Sequence, residues 1–180
     1  MTDTPQSHSY QLGPEDKVLP VMVYIPNGVV RGETIIKQSI RIATWLRAAT
    51  PIDYLRLYKA QVLLLAGGSI QTLAAPELFI SVPQILAIHA LPPVQESLDY
   101  DATEPNRKMD PILTMLGSFR IQANMRMAAT TNMALHLTTI KETFITIYDA
   151  EITNPAIPNM GVVRTPMIFI RPASVLFALR

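Results

Sequence analysis

The residues able to do chemistry are few, and their spacing suits little of it. Histidine occurs three times, at His8, His89 and His136, and cysteine not at all. No two histidines stand at the i, i+4 separation that would set two imidazoles on one helix face for a metal ion. Without cysteine there is no disulfide, thiolate ligand or thiol nucleophile. Asp149 and Glu151 lie two apart, on one face of an expected strand, where paired carboxylates could do acid–base work. The first half carries Lys59 and Gln61 in the matching place, so a solvated strand face is the expectation. Gly67-Gly68 has no lysine beside it to hold a phosphate, and no P-loop, dinucleotide fingerprint or nucleophile elbow is present. The chain is therefore expected to have no catalytic, cofactor-binding or metal-binding residues and not to be an enzyme, with a small-ligand sensor as the least favoured class.

Six cations remain: Arg31, Lys37, Arg41, Arg47, Arg56 and Lys59, set against Glu33, Asp53 and Glu77 in the same stretch. Gathered on one face they would contact an anionic partner such as a nucleic acid. Dispersed, they would only solvate the surface. The net charge of +1 argues against a dedicated electrostatic nucleic-acid binder. Hydrophobic residues make up 49% of the chain and charged residues 16%. Charge that sparse points to surface covered in an oligomer or by a protein partner. Met125, Met127, Met133, Met160 and Met167 would line a soft groove or fill a small core, and core filling is the expectation. The longest apolar stretch, Leu78 to Val94, is broken by Pro83, Pro92 and Pro93, so no transmembrane segment is expected. The N-terminus lacks the basic start and apolar centre of a secretory signal, and a cytoplasmic location is the default.

The elements that position these residues come in two sets. Tyr54-Leu-Arg-Leu-Tyr-Lys-Ala-Gln-Val62 matches Phe144-Ile-Thr-Ile-Tyr-Asp-Ala-Glu-Ile152 in kind at nearly every place, and Pro76-Glu-Leu-Phe-Ile80 matches Pro166-Met-Ile-Phe-Ile170 at the same separation. Upstream, Ser39, Ile42, Ala43 and Leu46 fall on Thr130, Met133, Ala134 and Leu137. This pattern reads as a tandem duplication. Its parts are a disordered tail (1–19), one β-barrel repeat (20–91), an extended polar linker (92–110) and a second repeat (111–180).

Within a repeat, Val21–Ile25 and Val29–Ile36 flank Asn27-Gly28, a hairpin signal. In the second copy Phe119, Ile121, Ala123, Met125 and Met127 alternate with polar residues, the pattern of a half-buried strand. A short helix follows, with Ser39 and Thr130 as the expected N-caps. Three more strands complete a β-β-α-β-β-β order. A loop of about a dozen residues is expected before the fourth strand, and Pro83 and Pro172 break the chain before the last. The expected fold class is mainly β with one short helix per repeat, a tandem pair of small barrels packed about a pseudo-twofold axis.

Val23-Tyr-Ile-Pro-Asn-Gly28 with Arg31-Gly32, and Ile168-Phe-Ile-Arg-Pro-Ala-Ser-Val-Leu-Phe177, resemble the first hairpin and the closing strand pair of Sm-like and SH3-like small β-barrels. The helix lies after the second strand, whereas Sm proteins carry theirs at the N-terminus. The chain as a whole resembles small proteins of Chloroflexus-type bacteria that carry one or two such modules, a resemblance that implies no particular activity. The leading expectation is a non-enzymatic interaction or assembly module acting through β-edges and an apolar face, with a protein partner or self-association. The alternative is an Sm-like RNA-binding protein using the cations of the first repeat.

Overall fold

The computed structural model describes residues 11–47, 53–94 and 96–179. The fold is mainly β. Ten antiparallel strands form one sheet, with two short helices outside it. The first half supplies β1 (Asp16–Ile25), β2 (Gly28–Lys37), α1 (Ile42–Leu46), β3 (Tyr54–Ala66), β4 (Ser69–Ser81) and β5 (Ala87–Ala90). The second supplies β6 (Arg107–Leu116), β7 (Phe119–Ala128), α2 (Met133–Thr139), β8 (Ile145–Thr153), β9 (Val163–Ile170) and β10 (Leu176–Leu179). Across the sheet the order is β10-β6-β7-β8-β9-β5-β1-β2-β3-β4. Each half thus runs fifth, first, second, third, fourth. No helix among the described residues is long and apolar enough to cross a membrane.

Local features recur at matched places. The ladder shifts between Arg31 and Glu33 where β2 meets β3, and between Gln122 and Asn124 where β7 meets β8. Opposite these bulges Lys59 and Asp149 have φ of 49° and 51°, a region that residues other than glycine seldom adopt. Single 3₁₀ turns, Val82–Gln84 and Pro172–Ser174, replace the expected sharp breaks. In β7 the five apolar residues are buried and their neighbours are not, as the alternation predicts.

Several expectations take a different form. The two halves do not face each other across a pseudo-twofold axis, and the sheet is not closed. A twofold would join like edges, but here β5 of the first half pairs with β9 of the second. Strand β1 starts at Asp16, inside the stretch expected to be tail, while residues 1–10 lie outside the described residues. The first hairpin turns on Pro26-Asn27, with Ile25 opposite Gly28. Gly28 is needed inside the strand because a Cβ there would overlap the Leu63 carbonyl of β3. The long loop expected before the fourth strand exists only in the second half, where it is nine residues, 154–162. In the first, β3 and β4 each continue to a two-residue turn at Gly67-Gly68, whose φ values of 58° and 77° suit glycine. Neither expected cap holds: Asn132 caps α2 by accepting from the Leu135 N–H at 2.9 Å, and the Ile42 N–H of α1 donates to Glu96 Oε1 at 2.9 Å. Glu96 lies in the segment expected to be a free linker.

Two apolar cores form, one for each half, and each borrows from the other. The first gathers Leu19, Val21, Val23, Leu55, Leu57 and Ile88 with Phe144 and Phe169 from the second half. The other gathers Ile112, Phe119, Ile121, Met127, Ile147 and Ile168 with Tyr24, Leu86 and Ala87 from the first. The second core holds one flaw. The Thr114 hydroxyl is fully buried with no hydrogen-bond partner among the described residues, at the ladder position where β1 carries the equally buried Val23. An unpaired buried hydroxyl costs roughly 1–3 kcal/mol. Thr114→Val therefore raises stability by about 1 kcal/mol, read as a higher urea midpoint with an unchanged slope; a lower midpoint would contradict this account of the site.

Candidate functional site

Two kinds of place stand out: the joint between the halves and the two outer edges of the sheet. At the joint, Ala87 lies opposite Ile170 and Ile88 opposite Phe169. The ladder continues through the Arg171 N–H, which donates to the Leu86 carbonyl at 2.8 Å. The Arg171 side chain donates to the Ile85 carbonyl at 3.0 Å and to the Val82 carbonyl, and its guanidinium lies 4.8 Å from the centre of the Phe144 ring. One arginine thus bonds two carbonyls at the 3₁₀ turn before β5, sharing that of Val82 with the Ile85 N–H. Tyr24 packs edge-on against Phe119 across the joint, ring centres 4.9 Å apart. The first-half turn also presses on the second half. A Cβ on Gly117, which has a φ of 55°, would sit 2.7 Å from the Pro26 carbonyl oxygen.

The linker secures the same joint with its acids. Asp99 accepts from the Tyr148 hydroxyl at 2.6 Å and the Thr146 hydroxyl at 2.9 Å, and Arg47 of the first half reaches it at 3.3 Å. Burial and the Asp99 carboxylate push the Tyr148 hydroxyl well above its usual range. Glu104 pairs with Arg107 and Arg126, and Arg126 covers the Tyr100 ring. A cleft of about 300 Å³ beside this network is lined by Arg47, Asp99, Arg126, His136 and Tyr148. Its arginines already have carboxylate partners.

The outer edges are built differently. Ladder positions equivalent to those of the joint carry exposed apolar side chains, one of which, Phe79, has the Arg56 guanidinium 5.6 Å from its ring centre. Tyr24 and Ala87 lie opposite each other and are 1% and 0% exposed, whereas Met115 and Leu176, in the same relation on β6 and β10, are 47% and 67% exposed. Phe169 and Phe144 are each 1% exposed, whereas their counterparts Phe79 on β4 and Tyr54 on β3, at the outer end of the sheet, are 58% and 60% exposed.

The six cations of the first half are mostly neutralised where they stand. Lys37 pairs with Asp16, Arg47 with Asp99, Arg56 with Glu77 and Lys59 with Glu33. Two of these acids, Asp16 and Asp99, come from outside the expected repeat. Arg31 lines a shallow apolar groove with Met22, Val29 and Leu73, and Arg41 precedes α1. Asp149 and Glu151 do not act together: Asp149 accepts from Asn124 at 3.3 Å, and Glu151 pairs with Arg164 at 2.8 Å. Among the described residues no group of three or more histidine, aspartate or glutamate side chains could hold a metal. The joint residues Arg171, Asp99, Phe144 and Phe169 did not stand out in the sequence. A sharper comparison of matched positions, asking which twin residues stay aromatic, is the signal that would have raised Phe79 and Phe169.

His89 on β5 is buried behind the joint. Its Nδ1 lies 2.9 Å from its neighbour's carbonyl, at Ala90, and its Nε2 lies 3.1 Å from the Tyr24 hydroxyl. A neutral ring donating from Nδ1 and accepting at Nε2 satisfies both contacts. Burial lowers its pKa from the ordinary 6.5. The unfolded chain therefore takes up this proton first as pH falls, so the contribution of His89 is whole above 6.5 and is lost below it. Urea midpoints should fall between about pH 7 and pH 5 by more in the native protein than in His89→Leu; equal pH dependence in both would remove His89 as the cause.

No family model, curated protein or solved structure matches this chain.

Proposed function

We propose that this chain is a tandem duplication of one β-β-α-β-β-β unit and serves as a non-enzymatic assembly module that binds protein through its outer β-edges. The duplication is supported by the recurring strand order, the paired bulges and the positive φ at both Lys59 and Asp149. The observation that carries the functional reading is the exposure of Tyr54 and Phe79 at one end of the sheet and of Met115 and Leu176 at the other.

Exposed edge strands offer a row of unpaired backbone donors and acceptors, and proteins usually blunt them with charge, proline or a bulge. Strand β4 has Pro76 and Glu77 in this role, but its end, like that of β10, carries exposed apolar and aromatic side chains. Such an edge suits strand addition, in which backbone bonds give affinity and side chains give specificity. The low charge of the chain fits a surface that is partly covered in use.

Hydroxyl-radical footprinting tests this reading, because Tyr54, Phe79, Met115 and Leu176 all carry oxidisable side chains. The protein in a concentrated native extract of its source cells should be protected several-fold at these positions relative to the purified, highly diluted chain. Exposed Leu135, away from both edges, should oxidise equally in both. Equal oxidation of the edge residues in both samples would count against an edge-binding role.

A further inference from the structure

We infer that the occupant of each edge is a second copy of this chain, added head to tail so that β10 of one copy pairs with β4 of the next. The inference rests on the edge-binding reading and names its partner. The protein carries the template for this contact inside itself. At the internal joint the fifth strand of one half pairs with the fourth strand of the other. The sheet therefore begins with a fifth strand, β10, and ends with a fourth strand, β4, whose outer edges have no strand partner among the described residues. These are the two faces of one contact, left open at opposite ends.

The register transfers directly. Ala87 and Leu176 occupy equivalent places, opposite Tyr24 and Met115 respectively. Ile170 and Ile80 are likewise equivalent, opposite Ile145 and Leu55. The pairs Ala87–Ile170 and Ile88–Phe169 thus become Leu176 opposite Ile80, and Phe177 opposite Phe79, of the next copy. Side chains transfer with the backbone. Phe144 and Phe169 enter the neighbouring half's core at the joint. Tyr54 and Phe79 would do the same in the next copy's second half, while Met115 and Leu176 would fill the places that Tyr24 and Ala87 take.

A contact made of two different faces is heterologous. It leaves a free edge at each end of any open chain of copies, and it closes into a ring or grows as a fibre. The contact between copies would be weaker than the internal joint, for two reasons on the page. The linker, with Asp99 and Glu96, fastens only the internal joint. The place of Arg171, which donates to Ile85 and Val82, is taken at the end of β4 by Ser81. Reversible association that depends on concentration follows.

Analytical ultracentrifugation of the purified full chain, with three variants, tests this. The native protein should form species larger than a monomer that dissociate on dilution. Phe79→Glu and Leu176→Glu should each be monomeric alone, since every copy lacks one of the two faces. Mixed together they should form a one-to-one dimer, which also shows that both are folded. Ser81→Arg should tighten association roughly tenfold, by restoring a charged donor to carbonyls across the contact. A native protein that stays monomeric and is unmoved by Ser81→Arg would overturn the inference. So would self-association by either single glutamate variant, which would mean that like edges pair. Edges protected in extract with a monomeric purified chain would refute self-assembly and leave another protein as partner; edges unprotected in extract would remove the edge-binding reading as well.

Discussion

The structure depends on crossed burial at one joint. Phe144 and Phe169 belong by sequence to the second half but pack in the first half's core, and Tyr24, Leu86 and Ala87 make the reverse trade. Burying one large apolar side chain stabilises by about 1.5–3 kcal/mol, so these exchanges are comparable to much of what a core of this size can supply. The backbone contribution at the joint is small, two ladder pairs and the Arg171 bonds. Side chains weld the halves, and the ladder fixes their register.

That weld explains features that otherwise look unrelated. Arg171 is held where the 3₁₀ turn after β4 leaves carbonyls facing the joint. Gly117 has no Cβ because the Pro26 turn of the other half passes too close. The acidic residues between the halves are there to be bonded: Glu96 completes α1, Asp99 collects three donors, and Glu104 holds two arginines. A half that lacks such a neighbour leaves its apolar positions bare, which is the condition of β4 and β10.

Much of this was legible in the residues themselves. The alternation of Phe119 to Met127 gave a strand and its buried face, and matched apolar phase gave the run of elements along each half. Pairing between halves was not legible, because Phe79 and Phe169 are the same residue type in the same local pattern, and only the presence of a neighbour decides which is buried. The bonding of the linker acids was not legible either, because carboxylates that dock and carboxylates that solvate have the same composition. The turn at Pro26-Asn27 was displaced by one residue because Gly28 serves close packing under Leu63 and not the turn. The six cations read as a cluster in the sequence, yet two of the acids that neutralise them, Asp16 and Asp99, lie outside the stretch expected to form their repeat.

The most direct test of the weld uses the single tryptophan, Trp45, which packs against the first half's core. In Phe169→Ala, a change within the second half's sequence, urea unfolding followed by Trp45 fluorescence should lose about 3–5 kcal/mol and still coincide with unfolding followed by far-ultraviolet dichroism. A Trp45 transition that keeps its native midpoint while dichroism shows the rest of the chain unfolding earlier would contradict the shared core.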